Sequence, residues 1–125
     1  MEEEALPGDL GLPDLRLPHR PADSSAATEI AAALPHSAVL KAFNTNFAAT
    51  LAACTTGEAS ATVLIAGDNT QAKALLADVV TAAGLRTIDV AALRRARELE
   101  ALGFLQITLA TQQKMPWTGG FAVAA

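Results

Sequence analysis

The chain has a single cysteine, Cys54, and so cannot close an internal disulfide. That usage fits a reducing compartment. It also has no stretch near the roughly 18 consecutive apolar residues that a bilayer-spanning helix needs. Its first residues, Met1-Glu2-Glu3-Glu4, are acidic where a secretory signal would be basic. The expected location is therefore the cytoplasm. Excess positive charge is missing as well: nine Lys and Arg stand against 13 Asp and Glu, a net charge of -4. A nucleic-acid binder depends on neutralising phosphates, so this balance argues against that class. Glycines fall at 8, 11, 57, 67, 84, 103, 119 and 120. No subset has the G-x-G-x-x-G spacing that brings backbone onto a pyrophosphate, and there is no G-x-x-x-x-G-K-[ST]. The chain thus carries no recognisable nucleotide cradle of its own.

Catalytic and metal signatures are equally sparse. His19 and His36 have no cysteine or carboxylate at ligand spacing, so no metal site is expected. The serines at 24, 25, 37 and 60 form no G-x-S-x-G elbow. Cys54 has no base near it in sequence and reads as a half-buried bystander. No catalytic side chain is assigned.

What the chain does have is alanine, 29 residues of it within a hydrophobic fraction of 51%. Alanine favours helix and close approach but buries little area, which points to thin helices packed close on a small sheet. At 125 residues there is room for one modest domain. Residues 1–22 hold Pro7, Pro13, Pro18 and Pro21 and read as an irregular leader. From Asp23 the punctuation becomes regular. Asp23, Ser24 and Ser25 offer N-cap oxygens, and Ala27, Ile30, Ala31 and Leu34 then keep helical spacing up to Pro35. Ala38 to Phe43 suits a buried strand. Asn44 to Cys54 contains a short helix, and Thr55 to Ala61 is a polar loop around Gly57. Thr62 to Ala66 is the clearest strand, apolar on both faces. Gly67-Asp68-Asn69 turns and caps a helix that carries Ala72, Leu75, Leu76, Val79, Val80 and Ala83 and stops at Gly84. Leu85 to Val90 is a third strand. A last helix starts at Leu93 and runs toward Gln112 or Gln113. Within it Leu105 to Leu109 alternates like a strand, but the strongly helical Arg94 to Leu102 before it favours one long helix. The order predicts an α/β fold: a partial Rossmann-like layer structure with a mostly parallel three-stranded sheet and flanking helices. The domain covers 23–113, and 114–125 is a tail.

Three groups of residues attract functional readings. Asn44-Thr45-Asn46 follows a strand at its C-terminal end, where open α/β sheets place ligands; the other reading is that Asn44 or Thr45 caps the next helix. Arg94, Arg95, Arg97, Glu98 and Glu100 form a charge cluster. Arg94 with Glu98 and Arg97 with Glu100 can pair on a solvated face, or Arg97 and Glu98 can tie the helix to a sheet edge or a second subunit. In the tail, Trp117 reads as a packing anchor beside Gly119-Gly120.

Five segments then stand in order: Ser25-Ala26-Ala27-Thr28-Glu29-Ile30, Val39-Leu40-Lys41-Ala42-Phe43-Asn44-Thr45, Ile65-Ala66-Gly67-Asp68-Asn69, Ile88-Asp89-Val90 and Ala96-Arg97-Glu98-Leu99-Glu100. Together, over about residues 23 to 123, they resemble the second half of the coenzyme F420-dependent NADP oxidoreductases; related metalloreductase domains are similar. The resemblance implies hydride transfer between NADP(H) and a deazaflavin, with NADP and coenzyme F420 as cofactors. It implies that Phe43, Asn44 and Thr45 line the pocket, and that Gly119 and Gly120 belong to a loop near the deazaflavin. The glycine-bearing first half of that family has no counterpart here. The expectation is a fragment, a split protein completed by a separate N-terminal nucleotide-binding half, or a degenerate relative kept for association. On its own the chain is expected to bind NADP weakly or not at all. The rival reading is a non-catalytic domain that forms homodimers through the Arg94-to-Gln112 helix.

Overall fold

The structure is a computed structural model, and it describes residues 23–124. The Pro-rich leader expected over 1–22 lies outside the described residues. Helix α1 spans Ala26–Ala33, with Ser25 as its N-cap: Ser25 Oγ accepts from the Thr28 amide at 3.0 Å. Strand β1 follows at Leu40–Lys41, then helix α2 at Ala48–Ala53. Strands β2 (Thr55–Thr56) and β3 (Ala59–Ser60) form a hairpin around Gly57 and Glu58. The expected polar loop is therefore a turn with structure. Gly57 supplies its positive φ of 60°, which suits the first central position of a two-residue hairpin loop.

Strand β4 covers Thr62–Gly67 and helix α3 covers Thr70–Ala82. Asn69 caps α3 by accepting from the Ala72 amide at 2.8 Å, and Gly84 beyond its end has φ +95°. Strand β5 is Arg86–Asp89; a 3₁₀ turn at Leu93–Arg95 leads into helix α4, Ala96–Thr111. The alternating stretch 105–109 is helical, as its helical context favours.

The main sheet has the order β1-β4-β5. Here one expectation is corrected. The sheet is mixed rather than mostly parallel: β4 and β5 are parallel, but β1 runs antiparallel to β4, with Leu40 opposite Gly67 and Lys41 opposite Ala66. The reason lies in what connects the strands. The 13 residues of α3 make a helix about 20 Å long, enough to carry the chain back along the sheet for a parallel re-entry. Between β1 and β4 there is only six-residue α2 and a hairpin of two-residue strands, and the chain re-enters from the end it left. β1 is also shorter than expected and half-buried.

β4 is the centre of the molecule. On one side Val63 and Ile65 pack with Ala61, Val80 and Leu85, backed by Leu51, Leu76 and Ala77. On the other, α1 and α4 meet around Ala27, Leu93 and Ala96, with Ala31 and Val39 beside them. Ala61, Ala66 and Ala96 are fully buried, so the alanines do allow the close approach the composition suggested. Their small side chains leave larger ones outside: Leu75 and Val79 on α3, and Phe104, Leu105 and Ile107 on α4, are all exposed. No helix among the described residues is long and apolar enough to cross a membrane.

Glu100 joins three elements. Its carboxylate accepts from the amides of Ala26 (2.9 Å) and Ala27 (3.1 Å), the first turn of α1, and lies 3.4 Å from Lys41 Nζ on β1. Burial works against its charge, but the two amides and Lys41 outweigh burial and hold the carboxyl below the usual range. The charge cluster is thus arranged differently from expectation. Glu98 pairs with Arg95 at 3.0 Å, one turn back, instead of with Arg94, and Glu100 turns inward to α1 and β1.

Candidate site at the start of the parallel strands

Because β1 runs against β4, the segment after it lands beside the start of β4. Asn46 Nδ2 donates to the Thr62 carbonyl at 3.0 Å, which pins that placement. Phe43 opens the segment with φ +71°, a left-handed backbone that a bulky side chain adopts only at a cost of about 1–3 kcal/mol. Its ring is exposed. Asn44 Nδ2 donates to the Leu99 carbonyl on α4 at 2.6 Å, and Thr45 is buried. The capping alternative is not what forms: α2 starts after Phe47, whose side chain makes no capping hydrogen bond.

Two α4 residues that the sequence did not single out make this arrangement. Gly103 lets α4 lie against Asn44: a Cβ there would sit 2.8 Å from both the Asn44 carbonyl and its Nδ2. Gln106, buried at 3% exposure, donates from Nε2 to the Thr45 carbonyl at 3.1 Å. Its Oε1 accepts from the Phe121 amide at 3.3 Å. One side chain therefore links the 43–45 segment to the tail expected to approach it. Gly120, at φ +154°, passes Gln106 Oε1 so closely that a Cβ would meet it at 3.1 Å. Gly119 is half-buried just before it. The sequence did carry a signal for Gln106: it lies at i+3 from Gly103 and i+7 from Leu99, on the buried stripe of α4.

The aromatic residues gather here. The chain has four Phe, one Trp and no Tyr. Phe43 and Phe47 flank the segment, Trp117 and Phe121 belong to the tail, and Phe104 follows Gly103 on the outer side of α4. Trp117 packs on Phe47 with ring centroids 5.0 Å apart at 56°, the anchor role expected of it. Buried polar atoms without a partner are found here too: Asn44 Oδ1, Asn46 Oδ1 and Thr62 Oγ1. Such atoms are costly in a protein interior.

The opposite end, at the C-terminal ends of β4 and β5, has a hollow lined by Thr70, Lys73, Thr87 and Asp89, and its polar groups are bonded to one another. Asp89 Oδ1 accepts from Lys73 Nζ (2.9 Å) and from the Ala91 amide (2.7 Å). The Lys73 ammonium, then the Ala91 amide, lower the Asp89 pKa. Asp68 Oδ1 accepts from the Leu93 amide at 3.0 Å. Gly67 is packed against Leu40, so the β4–α3 turn has no open glycine surface for a pyrophosphate to approach. Among the described residues there is no group of His, Cys, Asp or Glu able to hold a metal.

The fold is similar to that of a protein from Arthrobacter sp. FB24, provisionally described as an F420-dependent NADP-reductase, whose crystal structure is known at 1.70 Å resolution. The match has a TM-score of 0.72 and 24% sequence identity, and covers 82% of this chain and 47% of that one. The chain therefore spans about half the length of its structural neighbour. At this identity the likeness establishes a shared fold. No family model matches the chain, and no curated protein matches it.

Proposed function

We propose that this chain is the second half of an NADP-linked oxidoreductase that passes hydride to or from a deazaflavin such as coenzyme F420. The observation that carries the reading is that Gln106 bonds the Thr45 carbonyl and the Phe121 amide and lies against Gly120, which ties the segment of Phe43, Asn44 and Thr45 to that of Gly119 and Gly120. These are the two segments assigned to the pocket by resemblance, they lie far apart in sequence, and the fold is like that of the Arthrobacter protein. The residues suit a flat ring with amide groups. Phe43, Trp117 and Phe121 offer exposed aromatic surface, and Asn44 Oδ1, buried and without a donor, would have to be uncovered to accept from a ring amide. The bound cofactors would supply the hydride chemistry, while this chain would hold and orient the rings.

The NADP pyrophosphate fits this chain poorly, since the turn before α3 is filled by Leu40 and the glycine spacing is lacking. A nucleotide-binding half, on the same or another chain, would have to provide it. The test is hydride transfer between NADPH and F420 with the part of the Arthrobacter protein that this chain does not match supplied separately. Turnover that depends on this chain supports the reading; tight binding of NADP by this chain alone, read by calorimetry, overturns the division of labour.

The exposed Phe104, Leu105 and Ile107 on α4 favour a second reading, a non-catalytic domain that forms homodimers through that helix. Sedimentation separates them: a dimer abolished by Leu105→Glu, without any deazaflavin-dependent turnover, supports association.

A further inference from the structure

We infer that residues 114–124 form a strap that opens and closes as a unit against the body, with Gln106 as its fixed catch. Past the Lys114 amide, which donates to the Leu109 carbonyl of α4 at 2.8 Å, and Gly120, which passes close to Thr56, the strap is held to the body by three side-chain contacts on different elements. Trp117 packs on Phe47, the Phe121 amide donates to Gln106 Oε1, and the Arg86 guanidinium donates to the Val123 carbonyl at 3.2 Å. The two aromatic side chains of the strap bury little, Trp117 being 52% and Phe121 56% exposed, and Val123 is half-buried. Segments held by few buried contacts open locally, well below the free energy of global unfolding.

The catch behaves differently from what it holds. Gln106 is buried, and its Nε2 is already committed to the Thr45 carbonyl. That bond fixes which way the amide points: a flipped amide would set oxygen against the Thr45 carbonyl and NH₂ against the Phe121 amide. Gln106 Oε1 is thus presented as an acceptor whether or not the strap is closed. Left-handed or extended positive-φ backbone marks the start of the strap and one point within it. Gln113, just past α4, has φ +62°, and Gly120 before Phe121 has φ +154°.

This inference goes beyond the reading of the pocket, and its test needs no ligand. Trp117 is the only tryptophan of the chain, so its fluorescence reports the strap alone. In a urea titration we expect the Trp117 signal to change before the far-ultraviolet circular dichroism of the helices. Phe121→Pro deletes the donor from the strap without touching the core. It should raise the open-to-closed ratio about fivefold and move the Trp117 transition to lower urea, leaving the dichroism in place. Phe121→Ala, which keeps the amide, should shift it less. Gln106→Leu should also lower the Trp117 transition, and, because it removes the bond to the Thr45 carbonyl, should lower the dichroism transition as well. Superimposed transitions by both probes, in the wild type and in Phe121→Pro, would overturn the inference.

Discussion

The two ends of the small sheet differ in how completely their polar groups are used. At the C-terminal ends of β4 and β5, Asp68, Asn69, Lys73 and Asp89 each have a partner among nearby amides or side chains. At the other end Asn44 Oδ1, Asn46 Oδ1 and Thr62 Oγ1 are buried without one, and the exposed Phe43 immediately precedes Asn44. Open α/β sheets place their ligands at the carboxyl ends of parallel strands. For β4 and β5 that end has been spent on internal bonds. The candidate site instead follows β1, the one strand that runs the other way. The lesson is that strand polarity must be known strand by strand before that rule can locate a site.

The unpaired end depends on α4 staying where it is, and Glu100 is what ties α4 to α1 and β1. Glu100→Ala leaves two amides and Lys41 without their acceptor, and should cost about 2–3 kcal/mol in denaturant unfolding. The pH dependence follows from the same contacts. The folded carboxyl has a lowered pKa, so its contribution is present above the ordinary carboxylate range and is lost as pH falls through the folded value. The wild type should lose Tm as pH drops below about 4, and Glu100→Gln should flatten that decline.

Next come the glycines that let each end close. Gly103→Ala drives a Cβ into the backbone carbonyl of Asn44, while Gly67→Ala meets the flexible end of Leu40. We expect about 2 kcal/mol of destabilisation for the first, even after the gain in helix propensity, and less than about 1 kcal/mol for the second. Equal costs would mean that α4 and the 43–45 segment are not in close contact.

The sharpest contrast pairs a satisfied oxygen with an orphaned one. Asn69→Ala removes a working N-cap and should cost about 1 kcal/mol. Thr62→Val removes a buried hydroxyl that bonds to nothing, and should be neutral or stabilise by up to about 1 kcal/mol. A loss of stability in Thr62→Val would show that the hydroxyl is partnered and would narrow the difference between the two ends to Asn44 and Asn46.

Much of the fold was readable from local patterns. Ser25, Asn69 and Gly84 act at the helix boundaries where their chemistry placed them, and the unbroken apolar run of β4 is buried on both faces. The direction of β1 was not readable, because nothing local in Leu40-Lys41 states which neighbour it will meet or which way; that depends on the short span of the elements that follow. Two of the candidate segments, 43–45 and 119–120, were visible by resemblance. Their joining by Gln106 was hidden, since a lone Gln within an alternating stretch gives no sign of its two partners 61 and 15 residues away. The charge pairs failed for a related reason. Spacing along a helix names the neighbours on that helix, but Glu100 found better donors on α1 and β1.

The most direct test of the account is an amide chemical-shift titration of this chain with coenzyme F420 and, separately, with NADP. Asn44, Thr45, Gly119, Gly120 and the Gln106 side chain should move with F420, the turn Gly67–Asn69 should not, and NADP alone should leave the spectrum in place. Shifts centred on Gly67–Asn69 and Ala91 with either cofactor would contradict the account, because they would put the binding site at the end whose polar groups are already paired.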